Sequence, residues 1–405
     1  MPTKLPEHFG GETTEKFKRV EAAFKQNFAN GWEEGGAAFA VFHQGALVAD
    51  LWGGYADKDS KRTWKSDTLA MAWSSTKGYC ALAMLKLVDA GLLSYEDLVT
   101  KHWPEFGQNG KDKVTIFELV THMAGLAVPG EKLTMEHFHD WKKMGKVFEE
   151  QKPNWPLDKE TFGYHSLTYG FPIDQIVRRV DPKHRSLGQY IQDELIRSTG
   201  PEEFYLGLPM ALDYRFARMK TAGTGDMMYH MTCKAVRPTL FKLFTGQMPA
   251  LTNQASSCFE GFDFFTDPKV NELNAPEWHA VEIGAANGIG TARGMAQPFS
   301  ALAQGTLIKN KELLNRIAKP VHRHKNDSLI LMDVSVGHGF LYNEQPGVKE
   351  DMWTFGHPGY GGQNVMVDLD QQISLAYVTN NLKAAYGDYA RTYAPLKAAV
   401  YASLS

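Results

Sequence analysis

Cysteine is scarce in this chain. Cys80, Cys233 and Cys258 are odd in number, widely spaced and form no C-x-x-C pair. That excludes a disulfide framework and a zinc ribbon, and it favours a reducing compartment. No apolar run approaches the roughly 20 residues that a bilayer span needs. Met1 to Lys16 has neither the apolar stretch of a signal peptide nor the Arg-rich, acid-poor character of a transit peptide, so a cytoplasmic location is expected. An excess of charge is also missing: 43 Lys and Arg against 46 Asp and Glu leave a net charge of −3, scattered along the chain. Nothing in that balance suits nucleic acid or an anionic membrane surface. The G-x-S-x-G elbow of α/β-hydrolases, H-E-x-x-H and the P-loop are all absent. No metal or cofactor is implied. The sequon Asn326-Asp327-Ser328 carries little weight without a secretory signal.

What remains is an ordinary globular composition, 43% hydrophobic and 22% charged over 405 residues, enough for one large enzyme fold or two packed subdomains. Apolar spacing predicts a helix over about Thr14–Asn30, with Phe17, Val20, Ala23, Phe24 and Phe28 on one stripe. Ala37–His43 and Ala46–Trp52 read as strands joined at Gln44-Gly45. After the connection Ser66–Ala72, a helix opens at Ser74-Ser75-Thr76 and runs to about Ala90, where Gly91 stops it. Helices and long loops fill Leu92–Ile283, and Leu206–Pro276 is rich in aromatic residues and Met. Gly288–Gln304 reads as helix. His338–Tyr342, Met352–His357, Gln363–Leu369 and Gln372–Thr379 read as strands, and Tyr386–Ser403 as a closing helix. Strands at both ends with helices between them predict an α+β fold, in which one antiparallel sheet is built from the two chain ends. The expected units are 1–66 with 284–405 for the sheet, and 67–283 for a large, mainly helical insertion, with the active site between them.

Three segments carry candidate chemistry. Ser74-Ser75-Thr76-Lys77 is an S-x-x-K string. Residues three apart share a helix face, so Lys77 can reach Ser74, and a buried amine of lowered pKa can take the serine proton. Taken alone, Ser-Ser-Thr is also an ordinary helix cap, and composition allows roughly one or two such strings by chance. Tyr164, in Gly163-Tyr164-His165-Ser166, sits in a Gly-flanked turn that could aim a phenol into a cleft; a packed core tyrosine is the plainer account. Gly356-His357-Pro358-Gly359-Tyr360-Gly361-Gly362 lies between strand-like runs, where dense glycine lets a substrate approach a strand edge or merely makes a turn. His322-x-His324 has no companion ligands nearby in sequence, and Arg316–Lys325 reads as a solvated basic loop. Met227, Met228 and Met231 read as pocket or core packing.

Together the three motifs, in this order and spacing, resemble the serine β-lactamase and penicillin-binding-protein superfamily. The nearest pattern is its class C-like branch, with family VIII carboxylesterases and eukaryotic β-lactamase-like proteins. The strings Leu92–Leu98, Trp103-Pro104-Glu105-Phe106, Val114–Leu126 and Ala286-Asn287-Gly288-Ile289-Gly290-Thr291-Ala292-Arg293 look like this family's connecting motifs. The likeness covers about residues 36–380, and Leu206–Pro276 matches least. It implies a β-lactamase/transpeptidase-like fold with Ser74 as the acylated nucleophile, Lys77 as proton shuttle and Tyr164 as its partner. It further implies an oxyanion hole from the backbone N–H groups of Ser74 and Tyr360, and substrate contacts at Ser166, His357 and Gly359. The chain departs from the pattern at His357-Pro358-Gly359, where β-lactamases carry Lys-Thr-Gly, and at Ser166, often Asn. The missing Lys and Thr would grip an antibiotic's carboxylate, so neutral or hydrophobic esters or amides are the expected small-molecule substrates. Weak β-lactamase or D-peptidase activity, acyl transfer and a non-catalytic binding or assembly role remain alternatives. The oligomeric state is left open.

Overall fold

The computed structural model describes residues 7–233, 237, 241, 242, 245, 272–324, 327, 329, 333–344 and 352–404. Cys258, the sequon residues Asn326 and Ser328, and Lys325 lie outside them, as does much of Leu206–Pro276. The strands are β1 Phe9–Thr13, β2 Gly36–His43, β3 Ala46–Asp57, β4 Arg62–Thr63, β5 Ala70–Met71, β6 Phe204–Tyr205, β7 Ile289–Gly290, β8 His322–His324, β9 Val334–Gly337, β10 Phe340–Glu344, β11 Trp353–Pro358, β12 Asn364–Asp368 and β13 Ile373–Thr379. The large antiparallel sheet runs β1-β3-β2-β13-β12-β11-β10-β9-β8, with β4 pairing β3. The two chain ends meet at its centre, where Ala40 of β2 lies opposite Ala376 of β13.

Both faces of this sheet are covered, and the strand sequences show how. Alternate side chains of a strand point to opposite faces. On β2, Ala37, Phe39 and Val41 enter one core, together with Val20 and Phe24 of helix α1 (Lys18–Ala29) and with Leu396 and Val400 of the helix Ala394–Ala402. Ala38, Ala40 and Phe42 enter the larger core, which holds Phe299 of the helix Ala292–Ala303 and the apolar residues of helix α2 (Thr76–Asp89). The Gln44-Gly45 hairpin is a two-residue turn with φ of 52° and 80°, the doubly left-handed geometry that matches strand twist.

Helix α2 is buried almost all round, as a helix at the centre of a core must be. It ends where the sequence places its stop. Gly91 has φ 69°, its N–H donates to the Val88 carbonyl at 3.0 Å, and the Leu92 N–H reaches the Leu87 carbonyl at 3.1 Å, closing a Schellman motif.

Several boundaries differ from expectation. The segment Gly288–Gln304 begins as β7 and becomes helix only at Ala292, because the Thr291 side chain caps that end by accepting the Gly294 N–H. The closing helix starts at Ala394, where Pro395 suits the first turn; Gly387–Tyr389 is a separate 3-10 turn. His338 is the tight turn before β10, with φ 52°. The stretch read as a basic loop holds the end of the helix Lys311–Ile317 and strand β8, and His324 stacks on Phe162 at 4.5 Å. Of the methionines, Met231 packs against the second core while Met228 is exposed.

Candidate active site

Ser74 stands in a sharp turn. Trp73, before it, has φ 51°, a left-handed conformation costly for a bulky residue, so the chain is bent as it enters α2. The Ser75 side chain makes no capping bond, which removes the reading of Ser-Ser-Thr as an ordinary cap. Thr76 locks the turn: its hydroxyl donates to the Trp73 carbonyl at 2.6 Å and accepts the Gly288 N–H at 2.9 Å.

One turn into the helix, Lys77 is fully buried. Its Nζ lies 3.3 Å from Ser74 Oγ and 2.8 Å from each of two backbone carbonyls, Ser166 and Ala285. No carboxylate pairs with it among the described residues. Burial therefore dominates and lowers its pKa to about 7, only weakly opposed by Cys80. The geometry gives that amine a direction. In its neutral form two N–H groups are taken by the two carbonyls, and the lone pair is left toward Ser74 Oγ.

Tyr164 closes the other side. Its ring lies 4.8 Å from Lys77 Nζ, and its hydroxyl is 3.4 Å from His357 Nε2. Burial pushes the phenol well above its usual range, an effect that neighbouring Ser74 only partly offsets. The loop is fixed by groups the sequence did not single out. The Tyr164 N–H donates to buried Asp327 at 2.8 Å, the His165 N–H donates to His122 Nδ1 at 3.0 Å, and the His165 ring bonds the Gly163 carbonyl and the Leu126 N–H. His122 packs on Tyr164 and Tyr169 at 4.8 and 4.6 Å between ring centres. Burial holds His122 well below the usual imidazole range and His165 down at about 3, so both rings are neutral. Asn287 braces the loop that carries Ala285: its side chain accepts from the Ile283 N–H and donates to the Trp278 and Val281 carbonyls, all within 2.8 Å.

The third motif occupies the β11–β12 turn. Gly359 donates its N–H to Gln363 at 2.8 Å, and Gln363 is in turn pinned to Thr379 by two side-chain bonds of 2.8 Å. A Cβ on Gly359 would come within 2.4 Å of the Ala72 carbonyl. The close approach there is made by the protein's own backbone before Ser74. Tyr360 is 40% exposed and sets its ring edge-on to Trp73 at 5.2 Å, which brings the turn beside Ser74. His357 is buried, with Nε2 3.4 Å from the Tyr164 hydroxyl. Ser166 serves Lys77 through its carbonyl, and its own hydroxyl is 3.5 Å from the Tyr164 carbonyl. Backbone acceptors such as Ala285 have no sequence signal of their own; only the Asn287-Gly288 string beside it hinted at that loop.

A family model described as Beta-lactamase matches residues 24–399. The esterase/β-lactamase LipL of Mycobacterium tuberculosis is 30% identical over 383 residues, covering 92% of this chain and 83% of that protein. Among solved structures, a family VIII carboxylesterase superposes with a TM-score of 0.83 at 29% identity, covering 98% of this chain and 100% of the other. A penicillin-binding-protein homologue from Caulobacter crescentus gives 0.80 at 30% identity with the same coverage.

Proposed function

The chain belongs to the β-lactamase family and is a serine hydrolase, and from that premise we propose that it cleaves neutral or hydrophobic carboxylic esters, or the related amides, through an acyl-enzyme on Ser74. The observation that carries this reading is the buried Lys77 amine, held by two carbonyls and aimed at Ser74 Oγ. Lys77 takes the serine proton as Oγ attacks the substrate carbonyl. Tyr164, kept protonated by burial, gives its proton to the departing alcohol or amine and regains one from Lys77. The backbone N–H groups of Ser74 and Tyr360 stabilise the developing oxyanion. Water then repeats the sequence on the acyl-enzyme and frees the acid.

Substrate charge follows from the same groups. His357 is neutral and buried, so it offers no cation to a carboxylate. Neutral esters are therefore the preferred class, and anionic β-lactams are poor substrates. The names of the relatives, an esterase/β-lactamase and a carboxylesterase, support ester cleavage as the reaction. For the organisation of the chain we propose a sheet unit of 1–66 with 284–405 and a helical unit of 67–283; the pairing of β2 with β13 supports it. No helix among the described residues is long and apolar enough to cross a membrane. Unpaired Cys80 and Cys233 favour the cytoplasm. The test is covalent. A fluorophosphonate probe should label Ser74, and kcat/KM should be higher for p-nitrophenyl esters than for a chromogenic cephalosporin. Labelling elsewhere, or none, overturns the acyl-enzyme.

A further inference from the structure

His357 touches neither Ser74 nor Lys77 by hydrogen bond, yet its ring is stacked on Tyr164 with centres 5.8 Å apart. Its Nδ1 lies 2.7 Å from the Pro358 carbonyl oxygen. A carbonyl can only accept, so Nδ1 carries the ring's hydrogen. Burial, reinforced by the nearby Lys77, lowers the ring's pKa to about 3. The ring is therefore neutral, and Nε2 presents a bare lone pair to the Tyr164 hydroxyl 3.4 Å away. Between two neighbours, Nε2 and Ser74 Oγ, only the first must be an acceptor.

We propose that His357 is a positioning residue whose Nε2 holds the Tyr164 proton away from Ser74 until a leaving group arrives. The proposal rests on the acyl-enzyme reading above. With its hydrogen donated to Nε2, Tyr164 does not donate to Ser74 Oγ and so does not compete for the lone pair that attacks the substrate, while the Ser74 hydrogen is directed to Lys77. The proton balance is closed without the imidazole. Ser74 loses its proton to Lys77 as the Oγ–carbon bond forms. The leaving oxygen or nitrogen takes the Tyr164 proton as its bond to the acyl carbon breaks, and Lys77 returns the serine proton to Tyr164. His357 ends as it began.

A series of esters of one acid with p-nitrophenol, phenol and ethanol as leaving groups tests this in the full-length enzyme. Replacing His357 with Ala should cost under about threefold in kcat/KM on the p-nitrophenyl ester, which needs no protonation, and about tenfold or more on the ethyl ester. His357→Gln, whose amide oxygen can accept, should recover most of that loss. In a Tyr164→Phe background His357→Ala should change nothing further, since its partner is gone. A loss equal across all leaving groups, or full additivity with Tyr164→Phe, overturns the assignment. If the Ala variant fails to fold, His357→Met, which fills the space without an acceptor nitrogen, carries the same expectations. Fluorophosphonate labelling of the parent enzyme separates the two failures. Absent labelling at Ser74 defeats the acyl-enzyme, whereas labelling with an unchanged leaving-group trend defeats only the role of His357.

Discussion

Lys77 and Lys383 are both fully buried lysines, and their surroundings differ in one respect that decides what each can do. Lys383 has a carboxylate: its Nζ lies 2.9 Å from Glu33, which also accepts from the hydroxyls of Thr379 and Tyr377. Lys77 has two carbonyls and a serine hydroxyl. A carboxylate pairs with a buried lysine and makes it part of the framework, whereas carbonyls solvate it only weakly, and around Lys77 burial lowers the amine's pKa. Lys111 completes the comparison. It too is held by carbonyls, those of Gln108, Glu149 and Gln151, and burial lowers it to about 8. No hydroxyl stands beside it among the hydrogen bonds it makes, so a lowered pKa alone does not make a catalytic lysine.

The sharpest way to break the comparison is to remove each amine in turn. Lys77→Ala, like Ser74→Ala, should reduce kcat/KM by at least about 10³-fold across all leaving groups, with a smaller fall in thermal midpoint than Lys383→Met gives, because loss of a poorly solvated amine offsets part of the cavity and the two freed carbonyls. Lys383→Met should do the reverse. It leaves Glu33 buried without its cation and should cost about 3–5 kcal/mol in urea unfolding, while the protein that remains folded still labels at Ser74. A collapse of stability in Lys77→Ala would place that lysine with the framework instead.

Acid tests the same neighbourhood. His165 and His357 are held neutral, with folded-state values of about 3 against an unfolded imidazole near about 6.5. The unfolded chain therefore binds more protons below about pH 6.5, and stability falls as pH drops from there toward about 3. Each ring should cost about 2 kcal/mol by pH 5, with His122 adding in the same direction. Urea midpoints measured from pH 7 to 5 check this; a flat profile would mean the rings gain protons as readily in the fold as in the unfolded chain. In the folded enzyme, kcat/KM should lose about tenfold per unit below about pH 7 as Lys77 becomes an ammonium, with an apparent value belonging to the coupled site. The smallest effect is reserved for Ser75→Ala. The Ser75 hydroxyl is buried without a partner among the described residues, so activity should stay within about threefold and stability should hold or rise by about 1 kcal/mol.

Sequence legibility divides along the same line. Helix α2, its stop at Gly91 and the hairpin at Gln44-Gly45 are local patterns, and they were readable because each depends on neighbours a few residues away. Ser74, Lys77 and Tyr164 were legible as residue types in a recognisable order. The cage around Lys77 was not, because Ala285 contributes only a carbonyl from 208 residues away and any residue could supply that. His357 was read as a substrate contact. Its place beneath Tyr164 depends on a ring tautomer fixed by the next residue's carbonyl, which no motif encodes. The closing helix was drawn too long because the apolar spacing of Tyr386–Ser403 continues through the 3-10 turn Gly387–Tyr389, and the helix proper starts only at Ala394 with Pro395 in its first turn.

The pairing of β2 with β13 bears on the order of events during synthesis. The contact of Ala40 with Ala376 closes a loop of more than 300 residues, and such contacts slow folding because the whole intervening chain must be gathered first. Ser74 and Lys77 leave the ribosome early, but Ala285 and His357 follow only after hundreds of further residues. A nascent or truncated chain thus carries Ser74 and Lys77 without the carbonyl and the ring that surround them in the complete fold.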